Sequence, residues 1–396
     1  MKIAALKAYR IRVPLKRKIT HASFSRSESE SILVCCELDD GTIGWGEAVP
    51  RAYVTGETPD SVLAQYQATD FREMTDWRWN LTQEVVPLCQ HITLSEATDV
   101  PAEYQARCCF GNAARCALEL SLLDAATRAQ GESLSAIFPY LDEDRSLIQS
   151  LPSVRYSAVL TSMKPLKQTV LSLLYRLTGF RQCKVKVGMP GIDDRALLRK
   201  VRKLTGSRMG LRIDANEAWN RTELETRDAD FQPLQIQSIE QPVAHTSIDE
   251  LKHIRGQLSA LVMLDESLCS QEDAERAISE GYCDAFNLRI SKLGGLIPTF
   301  QIARMAHQAG IRCQLGCQVG ETGILSAAGR HFACSIQELD FLEGSFDRFL
   351  LKQNIINEKI SFQWGGVAPA LQGPGLGVTV NPTRLAQFVD QEMQLI

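Results

Sequence analysis

Apolar and polar residues alternate with a period of two along 2–13, 31–38 and 42–48, with Gly41 at a turn before the third run. A period of two is the signature of a half-buried strand, so the chain opens as a meander of antiparallel strands. Residues 16–30, polar and rich in Ser and Arg, read as a loop, and so do residues 50–59. Apolar positions then recur at helical spacing through 59–68, 82–89 and 103–130. The most apolar of these stretches, 113–126, carries Arg115, Glu119 and Asp124 and reads as an amphipathic helix.

From Val154 the rhythm changes. Short β-branched runs at 155–160, 182–187, 210–214, 237–240, 260–264, 285–289, 312–316 and 338–342 are separated by helical segments. Strands alternating with helices predict an α/β fold with a parallel sheet, and eight such units predict a (β/α)8 barrel of the TIM type. An open doubly wound sheet is the alternative, but it gives no reason for eight regular units. Beyond Phe346 the rhythm stops. Short strands at 360–363 and 377–380 are expected to return to the N-terminal sheet, and the glycine run 373–377 precedes no helix, so it is not a phosphate loop. The expected division is an α+β cap over 1–130, a barrel over 131–345, and a segment over 346–396 that completes the cap, making the cap discontinuous.

Composition narrows the class. The 396 residues hold 43 Lys and Arg against 47 Asp and Glu, a net charge of −4. A near-neutral chain lacks the basic footprint of a nucleic-acid binder. No stretch approaches the ~20 apolar residues of a membrane span. The first ten residues alternate apolar and charged and do not read as a signal peptide. The twelve cysteines lie mostly in apolar runs without metal-ligand spacing, which reads as buried reduced thiols of a cytoplasmic protein.

The chemistry sits at strand ends. Asp214, Glu240 and Asp265 each close a strand candidate, 26 and 25 residues apart, about one strand–helix unit. They therefore converge on the C-terminal face of the barrel, where barrel active sites lie. One such acid alone is as well explained as a helix N-cap. Three in register repel one another unless a cation neutralises them, and an all-oxygen set selects Mg²⁺, with Mn²⁺ possible. Lys184 and Lys186 end the strand before the triad, and Lys292 ends the strand after it. A lysine beside a bound cation can take or return the proton α to a carboxylate.

The motifs Lys184-Val185-Lys186, Asp214-Ala215-Asn216, Glu240-Gln241-Pro242, Asp265-Glu266-Ser267 and Ser291-Lys292-Leu293-Gly294-Gly295 together resemble the enolase superfamily. More narrowly they resemble its muconate lactonizing enzyme subgroup, which includes muconate cycloisomerases, dipeptide epimerases, o-succinylbenzoate synthases and N-acylamino acid racemases. The resemblance implies a capping domain built from both termini over a modified barrel. It implies Mg²⁺ on Asp214, Glu240 and Asp265, with Asn216 and Glu266 supporting those ligands from behind. It implies Lys186 and Lys292 as the acid/base pair on opposite faces of a small carboxylate substrate, with Lys184 beside them. Glu321, in a glycine-rich stretch after the seventh strand, would lie in the pocket or cap the next helix. No His stands between His307 and His331, which counts against the mandelate racemase and sugar-acid dehydratase subgroups.

Dipeptide epimerases generally carry an Asp-x-Asp after the eighth strand; here 342–348 lacks it, leaving Asp347, with Arg348 beside it. The cap loops offer His21, Ser23 and Phe24, then Arg51 and Tyr53, as substrate-binding candidates. The expected activity is α-proton abstraction leading to isomerisation, either cycloisomerisation or racemisation and epimerisation. The alternatives are a syn-dehydratase of the o-succinylbenzoate synthase kind, a non-catalytic member of the fold, and an unrelated Schiff-base barrel enzyme. A homo-oligomer, dimer or octamer, is expected, with no nucleic-acid or membrane partner.

Overall fold

A computed structural model describes residues 1–20, 25–97, 100–105, 107–142, 144–161 and 164–396. His21, Ser23 and Phe24 lie outside the described residues. Three antiparallel strands open the chain: β1 (Ile3–Thr20), β2 (Ser25–Leu38) and β3 (Ile43–Ala48). The expected loop at 16–30 is mostly strand. The pairing of β1 with β2 resumes at Ile19 opposite Arg26, after an irregularity beyond Pro14. A ribbon with no core beneath it needs no apolar alternation, so its sequence reads as loop.

Glycines let this sheet meet its helix. A Cβ on Gly46 would lie 1.9 Å from the carbonyl oxygen of Ala117, and one on Gly44 2.2 Å from Ala125 N. The helix Asn112–Ala129 therefore lies directly on β3. It starts later than the periodicity suggested, after Gly111 at φ 102°. It is buried nearly all round rather than amphipathic. Its acids are matched individually: Asp124 accepts from Trp45 N (2.9 Å), Leu376 N (2.7 Å) and Arg128 Nε (2.8 Å).

After β4 (Ser153–Arg155), eight parallel strands follow in order: β5 (Ala158–Leu160), β6 (Gln182–Lys186), β7 (Gly210–Asp214), β8 (Ile236–Glu240), β9 (Leu261–Leu264), β10 (Ala285–Leu288), β11 (Arg312–Leu315) and β12 (Leu339–Leu342). Each pairs only with its sequence neighbours. Ser157 N donates to Leu342 O at 2.8 Å, joining the two ends of the sheet, so it curls into a barrel rather than staying open. Helices separate the strands, the one between β8 and β9 being a short run of 3-10 and α turns over 245–257.

The C-terminal part does return to the N-terminal sheet, through a different strand from those expected. Residues 360–363 form no strand, and 377–380 contribute one isolated bridge, Ile356 to Val380. The returning strand is β14 (Val389–Gln394), antiparallel to β1, while β13 (Val367–Pro369) pairs with β4. Strand β14 is an exposed sheet edge of sequence VDQEMQ, so burial imposed no readable alternation on it.

The α+β layer lies over the C-terminal end of the barrel. Asn112 Nδ2 donates to the carbonyls of Cys269 and Lys292 at 2.7 Å each, and Val49 N donates to Ser291 Oγ at 2.8 Å. Among the described residues no helix is long and apolar enough to cross a membrane, and all twelve cysteines are free.

Candidate active site

The predicted acids stand at the ends of three adjacent strands. Asp214 pairs in register with Glu240 across β7 and β8, and Glu240 lies opposite Met263, two residues before Asp265. All three carboxylates are buried. Among the described residues, no three His, Cys, Asp or Glu side chains gather around one point. Each carboxylate faces basic side chains instead. Lys184 Nζ lies 3.4 Å from Asp214 Oδ2 and 3.2 Å from Glu240 Oε2. Lys292 Nζ lies 3.0 Å from Asp265 Oδ1, and Arg289 pairs closely with Asp265 and stands 3.6 Å from Glu240.

The donor set nevertheless fits a hard divalent cation. It offers three buried carboxylates on adjacent strands and no thiolate or imidazole, the preference of Mg²⁺. Burial, with Asp214, Glu343 and Asp265 nearby, pushes Glu240 up to about 7 despite Lys184. Glu266 Oε2 is buried without a hydrogen-bond partner.

The two outlying lysines are held differently. Lys186 Nζ donates to Asn216 Oδ1 at 2.6 Å and lies 3.6 Å from Asp214, with about a quarter of its side chain exposed. Asn216 in turn donates to Glu266 Oε1 at 3.1 Å. Lys292 Nζ is fully buried and donates to Asp265 O (2.7 Å), Asn287 O (2.9 Å) and Asp265 Oδ1. Lys186 ends β6, whereas Lys292 does not end a strand as expected but lies in the helical turn Ile290–Leu293 that follows β10; the two strands are four positions apart in a ring of eight, so the lysines face each other across the barrel mouth with the carboxylates between.

Several residues at the site escaped the sequence reading. Glu343 Oε2 lies 2.5 Å from Lys184 Nζ, and its Oε1 accepts from Arg212 Nη2 at 2.9 Å. Burial alone would lower the Lys184 ammonium, but Glu240, Glu343 and Asp214 hold it well above its ordinary range. Arg212 also contacts Gln314 and donates to Ser157 Oγ at 2.9 Å, stacked 4.5 Å above the Phe341 ring. Asn287 Nδ2 donates to Glu240 Oε1 at 2.8 Å. Alternation did carry one signal: a charged residue at the inward position of an apolar strand, as at Arg212, points into the barrel.

The cap and loop candidates are engaged elsewhere. Arg51 donates to the carbonyls of Pro50 (2.8 Å), Val319 (2.8 Å) and Glu30 (3.2 Å) and to Ser29 Oγ (3.3 Å), stitching the cap to the loop after β11. The Tyr53 ring lies under the Arg26 guanidinium at 5.9 Å. Glu321 Oε1 accepts from Gln318 N at 2.6 Å, and burial pushes its carboxyl up to about 8. It does not cap the following helix, Gly323–Ser335. Thr322 does so, with Glu47 accepting from Thr322 N (2.9 Å) and Leu325 N (3.0 Å). Asp347 accepts from Asn354 Nδ2 at 2.7 Å and Ser361 Oγ at 3.3 Å.

The chain is similar to known proteins in sequence and fold. A family model for enolase C-terminal domain-like proteins matches residues 170–384. The N-succinyl-L-Arg/Lys racemase of Bacillus cereus is 28% identical over 390 residues, 98% of each chain. Its crystal structure superposes with a TM-score of 0.84 at 25% identity, covering 100% of both chains. The L-Lys-D/L-Arg epimerase of Methylococcus capsulatus is 31% identical over 352 residues, 88% of this chain and 91% of the relative. A dipeptide epimerase from Cytophaga hutchinsonii, solved with Mg and D-Ala-L-Val, shares the fold at a TM-score of 0.81 and 24% identity, covering 100% of both chains. The fold is thus shared with these proteins along the whole chain, and the chain belongs to the enolase C-terminal domain-like family, within the muconate lactonizing enzyme subgroup of the enolase superfamily.

Proposed function

We propose that the protein is a Mg²⁺-dependent racemase that inverts the carbon α to the carboxylate of an N-acylated amino acid, by proton transfer between Lys186 and Lys292. One observation supports this reading: Lys186 ends β6, and Lys292 lies in the helical turn Ile290–Leu293 just after β10, half a turn away in an eight-stranded ring, with the carboxylates between them. A proton removed from one face and returned to the other inverts the carbon; two bases on one face would not. Asp214, Glu240 and Asp265 would hold the metal. Bound there, Mg²⁺ would offset the negative charge that grows on the substrate carboxylate as the α-proton leaves.

The chain's own residues orient the rest. Asn216 fixes Lys186 at the exposed side of the mouth. Asp265 and Asn287 fix Lys292 at the buried side. Lys184 and Glu343 form the charged floor beneath the acids. The cap, from 1–130 and 346–396, would exclude water from a barrel spanning 131–345. Twelve free thiols fit a reducing compartment, the cytoplasm.

The choice of an N-acyl group over a free α-ammonium rests on the carboxylates after β12. Glu343 is committed to Lys184 and Arg212, and Asp347 to Asn354 and Ser361. Each of their four oxygens already accepts from a side chain of this protein. The racemase relative is named for N-succinylated substrates, which supports the same choice.

The test uses D₂O, Mg²⁺ and panels of N-succinylamino acids and dipeptides. The native chain should racemise an N-succinylamino acid and deuterate its α-carbon in both enantiomers. Lys186→Met should exchange one enantiomer only, Lys292→Met the other, and neither should racemise. An elimination product without exchange, or exchange surviving in the double variant, would overturn the proposal. Exchange restricted to dipeptides would overturn the N-acyl assignment alone.

A further inference from the structure

Cys109 and Cys269 meet where the cap rests on the barrel. Cys109 follows the exposed Cys108 in the cap segment just before the helix Asn112–Ala129. Cys269 lies between β9 and the helix Gln271–Glu280, in the loop that begins at Asp265. Both are fully buried. With Val54 and Tyr104 they form a small apolar cluster of their own, apart from the main core. Their thiols donate to adjacent carbonyls of one cap loop, Cys269 to Val54 O at 3.4 Å and Cys109 to Thr55 O at 3.8 Å.

The two sulfurs also act on each other. Hydrogen bonding to Cys269, together with burial, pushes the Cys109 thiol up. Burial alone would raise Cys269 too, but Cys109, the Arg107 guanidinium and Lys292 hold it below its ordinary range. By contrast, burial raises Cys183 and Cys283 to about 12. Arg107 is fixed at this spot, donating to Glu266 O at 2.6 Å and to Asp273 Oδ2 at 3.1 Å. A single buried cysteine is an inert small apolar residue. Two in one cluster, with an arginine favouring the thiolate of one, make the setting of a redox-active pair.

We propose that Cys109 and Cys269 are a redox modification site, at which a hydroperoxide converts the two thiols into a disulfide that ties the cap to the barrel mouth. The Cys269 sulfur attacks the hydroperoxide. A sulfur–oxygen bond forms, the oxygen–oxygen bond breaks, and water or an alcohol leaves. The Cys109 sulfur then attacks Cys269 Sγ, and the sulfur–sulfur bond forms as a second water leaves. Two thiols lose two electrons and the hydroperoxide gains them. The seam is already closed, because Asn112 binds the carbonyls of both Cys269 and Lys292, so the cap need not be rearranged. Cys108, one residue away, is exposed, so a local opening of this segment admits a reagent as small as a peroxide. The inference does not depend on the proposed reaction.

The test treats the reduced full chain with hydrogen peroxide, blocks the remaining thiols after denaturation, and reads the product by mass spectrometry. The native chain should lose the mass of two hydrogens and show two fewer blocked thiols than its twelve free cysteines. Digestion should yield one cross-linked peptide joining Cys109 to Cys269, and dithiothreitol should release it. The bond should raise the melting temperature by several degrees. Cys109→Ala and Cys269→Ala should each abolish both the bond and the rise, and Cys108→Ser should keep both. A Cys108–Cys109 bond, oxygen added to sulfur without a cross-link, or a cross-link that forms only in urea would overturn the inference. So would an oxidised chain that melts no higher than the reduced one. Where an alanine variant loses its helical circular dichroism, the cross-linked peptide of the native chain decides alone.

Discussion

Lys186 Nζ and Asn216 Oδ1 lie 2.6 Å apart, and Asn216 holds that oxygen in place from a backbone with φ of 44°. The left-handed region costs most residues about 1 kcal/mol or more, which Asn tolerates better than most. A residue that turns the chain and aims an acceptor at the lysine is therefore fitted to two tasks at once.

Asn216→Gly keeps the backbone conformation and removes the acceptor, so it separates those tasks. A hydrogen bond to a charged group is worth about 1.5–3 kcal/mol, so turnover should fall roughly 10- to 100-fold. The basic limb of the kcat profile should move, and KM should change little. An unchanged pH profile with lower thermal stability would mean that Asn216 serves the fold alone.

Glu343 neutralises two buried cations, Lys184 and Arg212. Glu343→Gln leaves both short of a partner, and breaking a buried pair costs about 3–5 kcal/mol. The urea midpoint should drop accordingly with the slope unchanged. Replacing Glu343 and Lys184 together, by Gln and Met, should cost less than the sum of the single changes. Additive losses would show that the pair is not coupled.

Metal binding is checked without any substrate. Mg²⁺ at about a hundred times its dissociation constant should stabilise the fold by about 2.7 kcal/mol, a rise in melting temperature reversed by a chelator. Asp214→Asn combined with Glu240→Gln should abolish the rise. The same rise in that double variant would place the metal elsewhere.

His331 gives the fold an acid limit. Its Nε2 donates to Leu376 O at 3.0 Å, and its Nδ1 lies 2.9 Å from Ser135 Oγ, from which it accepts. Burial lowers it from 6.5 to about 4. Between those values the unfolded chain binds the proton and the native one does not, so stability falls as pH drops from 6.5 toward 4. The loss from this residue is about 3 kcal/mol across that window, at about 1.4 kcal/mol per pH unit. His331→Gln should flatten the slope there, and a slope equal to that of the native chain would refute the assignment.

Period-two runs, the interval of 25 or 26 residues between strand-end acids, and lysines one unit to either side were enough to read a barrel and the composition of its mouth. These signals are local. A buried parallel strand must be apolar, so a charged residue at its end or on its inner face stands out. Other features belong to pairs of segments that meet only after the barrel has closed. Glu47 accepts from Thr322 N, 275 residues further along the chain. Arg51 binds the Val319 carbonyl of the loop after β11 rather than standing free. Strand β14 pairs with β1 although its sequence carries no alternation. Glu343 reaches Lys184 because the eighth barrel strand, with Ser157 joined to Leu342, returns beside the first. The barrel and the charges at its mouth were legible along the chain, because burial writes a period into each strand. Which cation faces which acid was not, because ring closure brings residues from strands distant in sequence within hydrogen-bonding reach, and no local period encodes that distance.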